Sequence, residues 1–141
     1  MDQSVSVILF VAAVLVFAGL LFAIITFTKR GPKGIDVEKY RCQWLDIEKQ
    51  LSRDQPASYK MTVLHADSLL DKALQDGGFA GQTMAERMKA AQKSWSHVDS
   101  VWAAHKLRNK IAHEPDTSVS FDMTRRALAS FKRALKDLGA L

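Results

Sequence analysis

The sequence predicts an all-α protein: one N-terminal transmembrane helix followed by a five-helix up-and-down bundle. Three observations carry this expectation. An uncharged apolar run lies near the N-terminus, apolar residues recur at three- and four-residue spacing after it, and no stretch alternates with the two-residue period of a strand.

Between Val5 and Phe27 there is no Asp, Glu, Lys or Arg, and only Ser6, Gly19 and Thr26 interrupt the run. As a helix rising ~1.5 Å per residue it is roughly 35 Å long, enough for a hydrocarbon core of ~30 Å. A cleaved signal peptide would start with positive charge, carry a shorter apolar stretch and end in small residues. Here the start is Met1-Asp2-Gln3 and the end is Thr26-Phe27-Thr28, so an anchor is expected. Lys29, Arg30 and Lys33 follow directly, with nothing positive before the run. The positive-inside rule then predicts a single pass of the plasma membrane, N-terminus outside and C-terminal domain in the cytoplasm. The same three cations suit anionic lipid head groups.

The expected organisation is therefore a transmembrane anchor over 1–28, a basic juxtamembrane linker over 29–35 and a helical domain over 36–141. All 20 Lys+Arg and all acids but Asp2 follow the apolar run, which leaves the domain basic and suited to anionic partners. A lone Cys42 excludes an intramolecular disulfide and fits a reducing compartment.

Five helices are expected in the domain. The first starts at Asp36 as N-cap and runs to about Arg53, with Val37, Tyr40, Trp44, Ile47 and Leu51 in one stripe. Asp54-Gln55-Pro56 breaks it. The second covers about Ala57–Gln75, with Tyr59, Val63, Ala66, Leu70 and Ala73 on one face and a glycine stop at Gly77-Gly78. Thr83-Met84-Ala85-Glu86 is a capping box that opens the third, with Met84, Met88, Ala91 and Trp95 facing in. Ser96 is the expected cap of the fourth, about His97–Ala112, closed by Glu114-Pro115. The fifth runs about Phe121–Leu138 and stops at Gly139. Phe121, Leu128, Phe131, Leu135 and Leu138 form its core side. Arg125, Arg126, Lys132, Arg133 and Lys136 form an opposite basic side, a solvated face by default and otherwise a surface for RNA backbone or membrane.

The fourth helix carries the chemistry. Ala104, Leu107 and Ile111 form one apolar stripe, while Val98, Val101 and Trp102 begin a second whose C-terminal half turns polar. His105, Asn109 and His113 follow one another at four-residue spacing, with Arg108 one step aside. A buried guanidinium there needs a partner, because an unpaired one costs several kcal/mol. Asp67, Asp71, Glu114, a bound anion and a partner chain are the candidates.

Arg108-Asn109-Lys110-Ile111-Ala112-His113 resembles the R-x(4–6)-H motif of HEPN-domain ribonucleases, which are small helical bundles. The motif covers six residues, and the bundle context extends the likeness over the domain only as architecture. The resemblance implies metal-independent RNA cleavage in a cleft between two protomers. Arg108 would steady the scissile phosphate, His113 would relay a proton, Asn109 would orient either, and His105 would lie beside them. It also implies a homodimer through the fourth-helix face, where Trp102 sits. The residues read by themselves equally fit a packed polar cluster, with His113 favoured by the helix dipole and His105 in an intrachain hydrogen bond.

His65 is expected to pack partly buried beside Leu69, and His97 to lie on the surface. No metal site is expected, since His105 and His113 stand two turns apart on one helix. No cofactor is implied: Gly77-Gly78-Phe79-Ala80-Gly81 lacks the Lys-Ser/Thr of a phosphate loop. Three functions remain open at this point. They are a membrane-tethered domain that binds and cleaves RNA, a non-catalytic module that dimerises or recruits a cytoplasmic partner, and a basic domain facing lipid.

Overall fold

A computed structural model describes residues 3–28 and 34–141. The expected basic linker cations Lys29, Arg30 and Lys33 lie outside the described residues. The chain divides into two units, Met1–Gly31 and Pro32–Leu141.

The first unit holds helix α1, Gln3–Thr28. Its apolar side chains from Val5 to Ile25 stand exposed all round the helix, with no polar face to turn toward water. The segment Gln3–Ile25 is long and apolar enough to cross a bilayer; length and composition suit a signal sequence equally.

The second unit holds α2 (Val37–Gln50), α3 (Ala57–Asp76), α4 (Met84–Ala91), a 3-10 turn (Gln92–Ser94), α5 (Val98–His113) and α6 (Phe121–Asp137). Its ends are set by local chemistry. Asp36 accepts Lys39 N–H at the start of α2, and Ser120 accepts Met123 N–H at the start of α6. The capping box of α4 is complete: Thr83 Oγ1 accepts Glu86 N–H, and Glu86 Oε2 takes the Thr83 and Gln82 N–H groups. Those backbone donors hold the exposed Glu86 carboxyl below its ordinary range. Helices α3 and α6 both end in the same glycine turn. Gly78 at φ 77 and Gly139 at φ 75 let Phe79 and Ala140 donate back to Leu74 and Leu135. Gly77 is the C-cap of α3 and Gly78 takes the left-handed position after it, so the Gly77-Gly78 pair makes the stop together.

Three boundaries differ from the sequence reading. Helix α2 ends at Gln50, because Ser52 N–H turns to Ser58 Oγ and Tyr59 Oη–H to the carbonyl of Arg53. The third soluble helix stops at Ala91 and tightens into the 3-10 turn, which delivers Trp95 to the core. Ser96 does not cap α5. Its N–H and Oγ–H both go to Asp137 Oδ2 at 2.8 Å, and His97 occupies the cap position without a side-chain capping bond.

The cross-links between helices fix their directions. Tyr40 Oη–H donates to Asp76 Oδ2, so α2 starts where α3 ends. Lys60 Nζ–H reaches Pro115 O, so α3 starts where α5 ends. Ser96 and Asp137 join the start of α5 to the end of α6. The four longer helices therefore run up, down, up and down, while short α4 packs chiefly on α3. Helix α3 is the axle, touching each of the other helices of the unit. Its Val63, Ala66, Leu70, Ala73 and Leu74 meet Tyr40, Met88, Phe131 and Leu135 in one core. Ala66 and Ala73 have no exposed surface, and these small side chains admit the neighbouring helices closely. Val37 is the member of the expected α2 stripe that stays exposed.

Candidate functional site

The polar half of α5 faces Asp67, which α3 places in the core at 2% exposure. His105 Nδ1 lies 2.8 Å from Asp67 Oδ1. Asn109 Nδ2 lies 3.2 Å from His105 Nε2, and Arg108 Nη1–H donates to Asn109 Oδ1 at 3.0 Å. Arg108 Nε stands 3.2 Å from Asp67 Oδ2, close enough for an ion pair, but buried and off the direction of a hydrogen bond. Four side chains thus close a ring: Asp67, His105, Asn109, Arg108 and back to Asp67.

The ring assigns its own protons. Arg108 holds the amide oxygen of Asn109, so the amide N–H faces His105 Nε2, which must accept. Nδ1 then carries the imidazole proton and donates to Asp67. The imidazole thus bridges Asp67 and Asn109. Trp102 covers it edge-on at 6.1 Å.

The expected site residues fall into different environments. His105 is buried, Asn109 and Arg108 are half-buried, and His113 is exposed at the last turn of α5 with no hydrogen bond or ion pair among the described residues. Arg108 keeps 34% of its side chain exposed, and its Nη2 has no partner among the described residues. His113 comes five positions after Arg108, about 7.5 Å of rise along a helix and a rotation of ~140°. The two side chains therefore leave different sides of the helix.

Asp67 supplies the carboxylate that the sequence left open among three. Asp71, one turn later on α3, is taken by Arg87: Nε–H to Oδ1 at 2.8 Å and Nη2–H to Oδ2 at 2.9 Å, with Nη1–H on the Gly81 carbonyl. Arg87 was not singled out in the sequence, since it falls on the inner side of a short helix where only apolar residues signal burial. Glu114 accepts from Thr117 instead. His65 is exposed, with Nδ1 2.9 Å from Gln50 Oε1, rather than packed inside. The α2 end turns Gln50 toward it. His97 lies on the surface beside Ser96.

The five cations of α6 do not act as one stripe. Lys132 pairs with Glu48 at 2.7 Å, and Glu48 also accepts Trp44 Nε1–H at 2.8 Å. Burial raises the Glu48 carboxyl, but the Lys132 and Trp44 bonds together pull it below its ordinary value, with Lys136 adding to the pull. Arg126 turns back to the Asp122 carbonyl, and Arg133 lines a pocket with Asp137. Arg125 lies 6.0 Å from the centroid of the Phe121 ring. Among the described residues no three His, Cys, Asp or Glu side chains cluster as metal ligands would.

Comparison with known families, with curated proteins and with solved structures finds no match to this chain.

Proposed function

We propose that this chain is a membrane-tethered HEPN-like domain that binds RNA through the C-terminal half of α5. Arg108 and His113 are the contacting groups; Asp67, His105 and Asn109 position Arg108. The observation that supports this reading is the half-exposed guanidinium of Arg108, held from behind with Nη2 free and followed by the exposed His113. Guanidinium forks suit phosphate oxygens, and a nearby imidazole can give or take a proton. Because the two groups diverge within one chain, cleavage needs a second copy whose His113 meets the first copy's Arg108. Helix α1 serves as a single-pass anchor, N-terminus outside, with the domain in the cytoplasm. Lys29, Arg30 and Lys33 beside the apolar run support that orientation.

A second reading is a non-catalytic module that dimerises or recruits a cytoplasmic partner. Its support is the ring itself: His105 and Asn109 are satisfied internally and ask for no ligand.

Full-length chain in neutral-lipid nanodiscs, mixed with RNA in EDTA, separates the two. RNA retention that Arg108→Gln weakens about tenfold, with cleavage that rises with the number of copies per disc, upholds the RNA reading. Retention without cleavage leaves an RNA-binding domain. No retention, or equal retention by wild type, Arg108→Gln and His113→Gln, sinks it in favour of the interaction module. Exposed Cys42 reports the orientation. A membrane-impermeant maleimide should label it only after cells are opened; labelling of intact cells, or a mature chain that has lost α1, contradicts the tethered arrangement.

A further inference from the structure

At the end of the bundle where α3 and α6 begin, two arginines share one aromatic ring. The Arg53 guanidinium carbon lies 4.7 Å from the Phe121 centroid, and that of Arg125 lies 6.0 Å from it. Arg125 follows Phe121 by one helical turn, which brings it back over the ring. Arg53 comes from the loop after α2, and that loop is pinned. Tyr59 Oη–H donates to the Arg53 carbonyl at 2.5 Å, and Ser58 Oγ links Ser52 and Gln55. Tyr59 in turn meets Phe121 edge-on at 5.8 Å.

Among the described residues neither arginine has a carboxylate within 4.0 Å, although Asp54 adjoins Arg53 and Asp122 lies three residues before Arg125. Each cation–π contact uses the face of the guanidinium and leaves the N–H edge free. Two like charges are thus gathered on one ring with their donors unspent, an arrangement that a phosphate would complete. Lys60, whose Nζ sits on the Pro115 carbonyl, and the end of α5 with His113 belong to the same end of the bundle.

We infer that Arg53 and Arg125, held on Phe121, form a clamp for a phosphodiester of single-stranded RNA, a second contact beyond the Arg108–His113 surface. This rests on the RNA reading above. The free N–H groups reach phosphate oxygens, which every nucleotide presents alike, so the clamp grips backbone and carries no base preference.

The test uses full-length chain in neutral nanodiscs, labelled single-stranded RNA and a salt titration. Arg53→Gln and Arg125→Gln should each lower affinity three- to tenfold and reduce the salt slope by about 0.7 per arginine lost. Phe121→Leu should lower affinity with the slope retained, because both charges remain. Wild-type affinity and slope in both arginine variants overturn the clamp. If wild-type chain binds no RNA, the RNA reading has failed by itself, and inorganic phosphate then decides the clamp. Saturable shifts of the Arg53 and Arg125 Nε–H resonances, absent in the glutamine variants, uphold a phosphate site; unmoved resonances overturn it. Anionic-lipid nanodiscs form the last arm. Loss of lipid adhesion rather than RNA affinity in the variants overturns RNA as the ligand.

Discussion

Two arginines of this domain meet aspartates one turn apart on α3, and they meet them differently. Arg87 spends every nitrogen: two on Asp71 and one on the Gly81 carbonyl, with 11% of its side chain exposed. Arg108 shares Asp67 with His105, points Nε past its partner, spends Nη1 on Asn109 and keeps 34% of its side chain exposed. Arg87 is a latch that ties α4 and its incoming loop to α3. Arg108 is a guanidinium steadied from one side and open on the other. The contrast shows how one row of carboxylates can use up one arginine completely and leave the next partly open.

Breaking the two arrangements should give effects of different size. Asp67→Ala strips the buried anion from both His105 and Arg108 and should destabilise the domain by about 3–5 kcal/mol. Urea unfolding followed by tryptophan fluorescence measures it; a loss under 1 kcal/mol would mean the ring contributes little. Arg87→Gln removes a two-pronged ion pair of small exposure and should cost about 2 kcal/mol. Arg108→Gln should cost about 1 kcal/mol, since its Nε is off the hydrogen-bond direction to Asp67 and His105 still contacts that carboxylate. Reversed magnitudes for the two arginines would undo the comparison.

A smaller effect belongs to the far end of α3. Burial, then the hydrogen bond to Asp76 and its charge, push the Tyr40 phenol well above its ordinary value of 10.0. The folded state therefore keeps this proton where the unfolded chain releases it. Its contribution is intact below pH 10 and is lost as pH rises above that value. Tyr40→Phe should flatten this alkaline decline while costing about 1 kcal/mol at neutral pH. Parallel alkaline curves for the two proteins would assign the decline to other groups.

Much of the fold was legible because it follows from local chemistry. The apolar run, the capping box at Thr83, the glycine stops and the stripes of α3 and α6 are each written within a few neighbouring residues. Helix α2 was read too long because Leu51 continues the apolar period, and periodicity does not register a backbone N–H captured by Ser58. His65 was misplaced because a residue at the margin of a stripe is decided by the neighbouring helix, here Gln50 of α2. The site was legible in part. Spacing showed that His105, Asn109 and Arg108 share a polar continuation of an apolar stripe, and Asp67 stood among the candidate acids. That the four close a ring depends on where α3 lies against α5. The pairing of Arg53 with Phe121 across 68 residues has no local signal at all.

The most direct test compares the two arginines by what each does to RNA. Full-length Arg108→Gln and Arg87→Gln, in neutral nanodiscs below their unfolding transitions, are titrated with single-stranded RNA beside wild type. An open Arg108 predicts about tenfold weaker binding and a smaller salt slope for Arg108→Gln, with wild-type affinity for Arg87→Gln. Equal affinities for all three proteins, or a loss confined to Arg87→Gln, would contradict it.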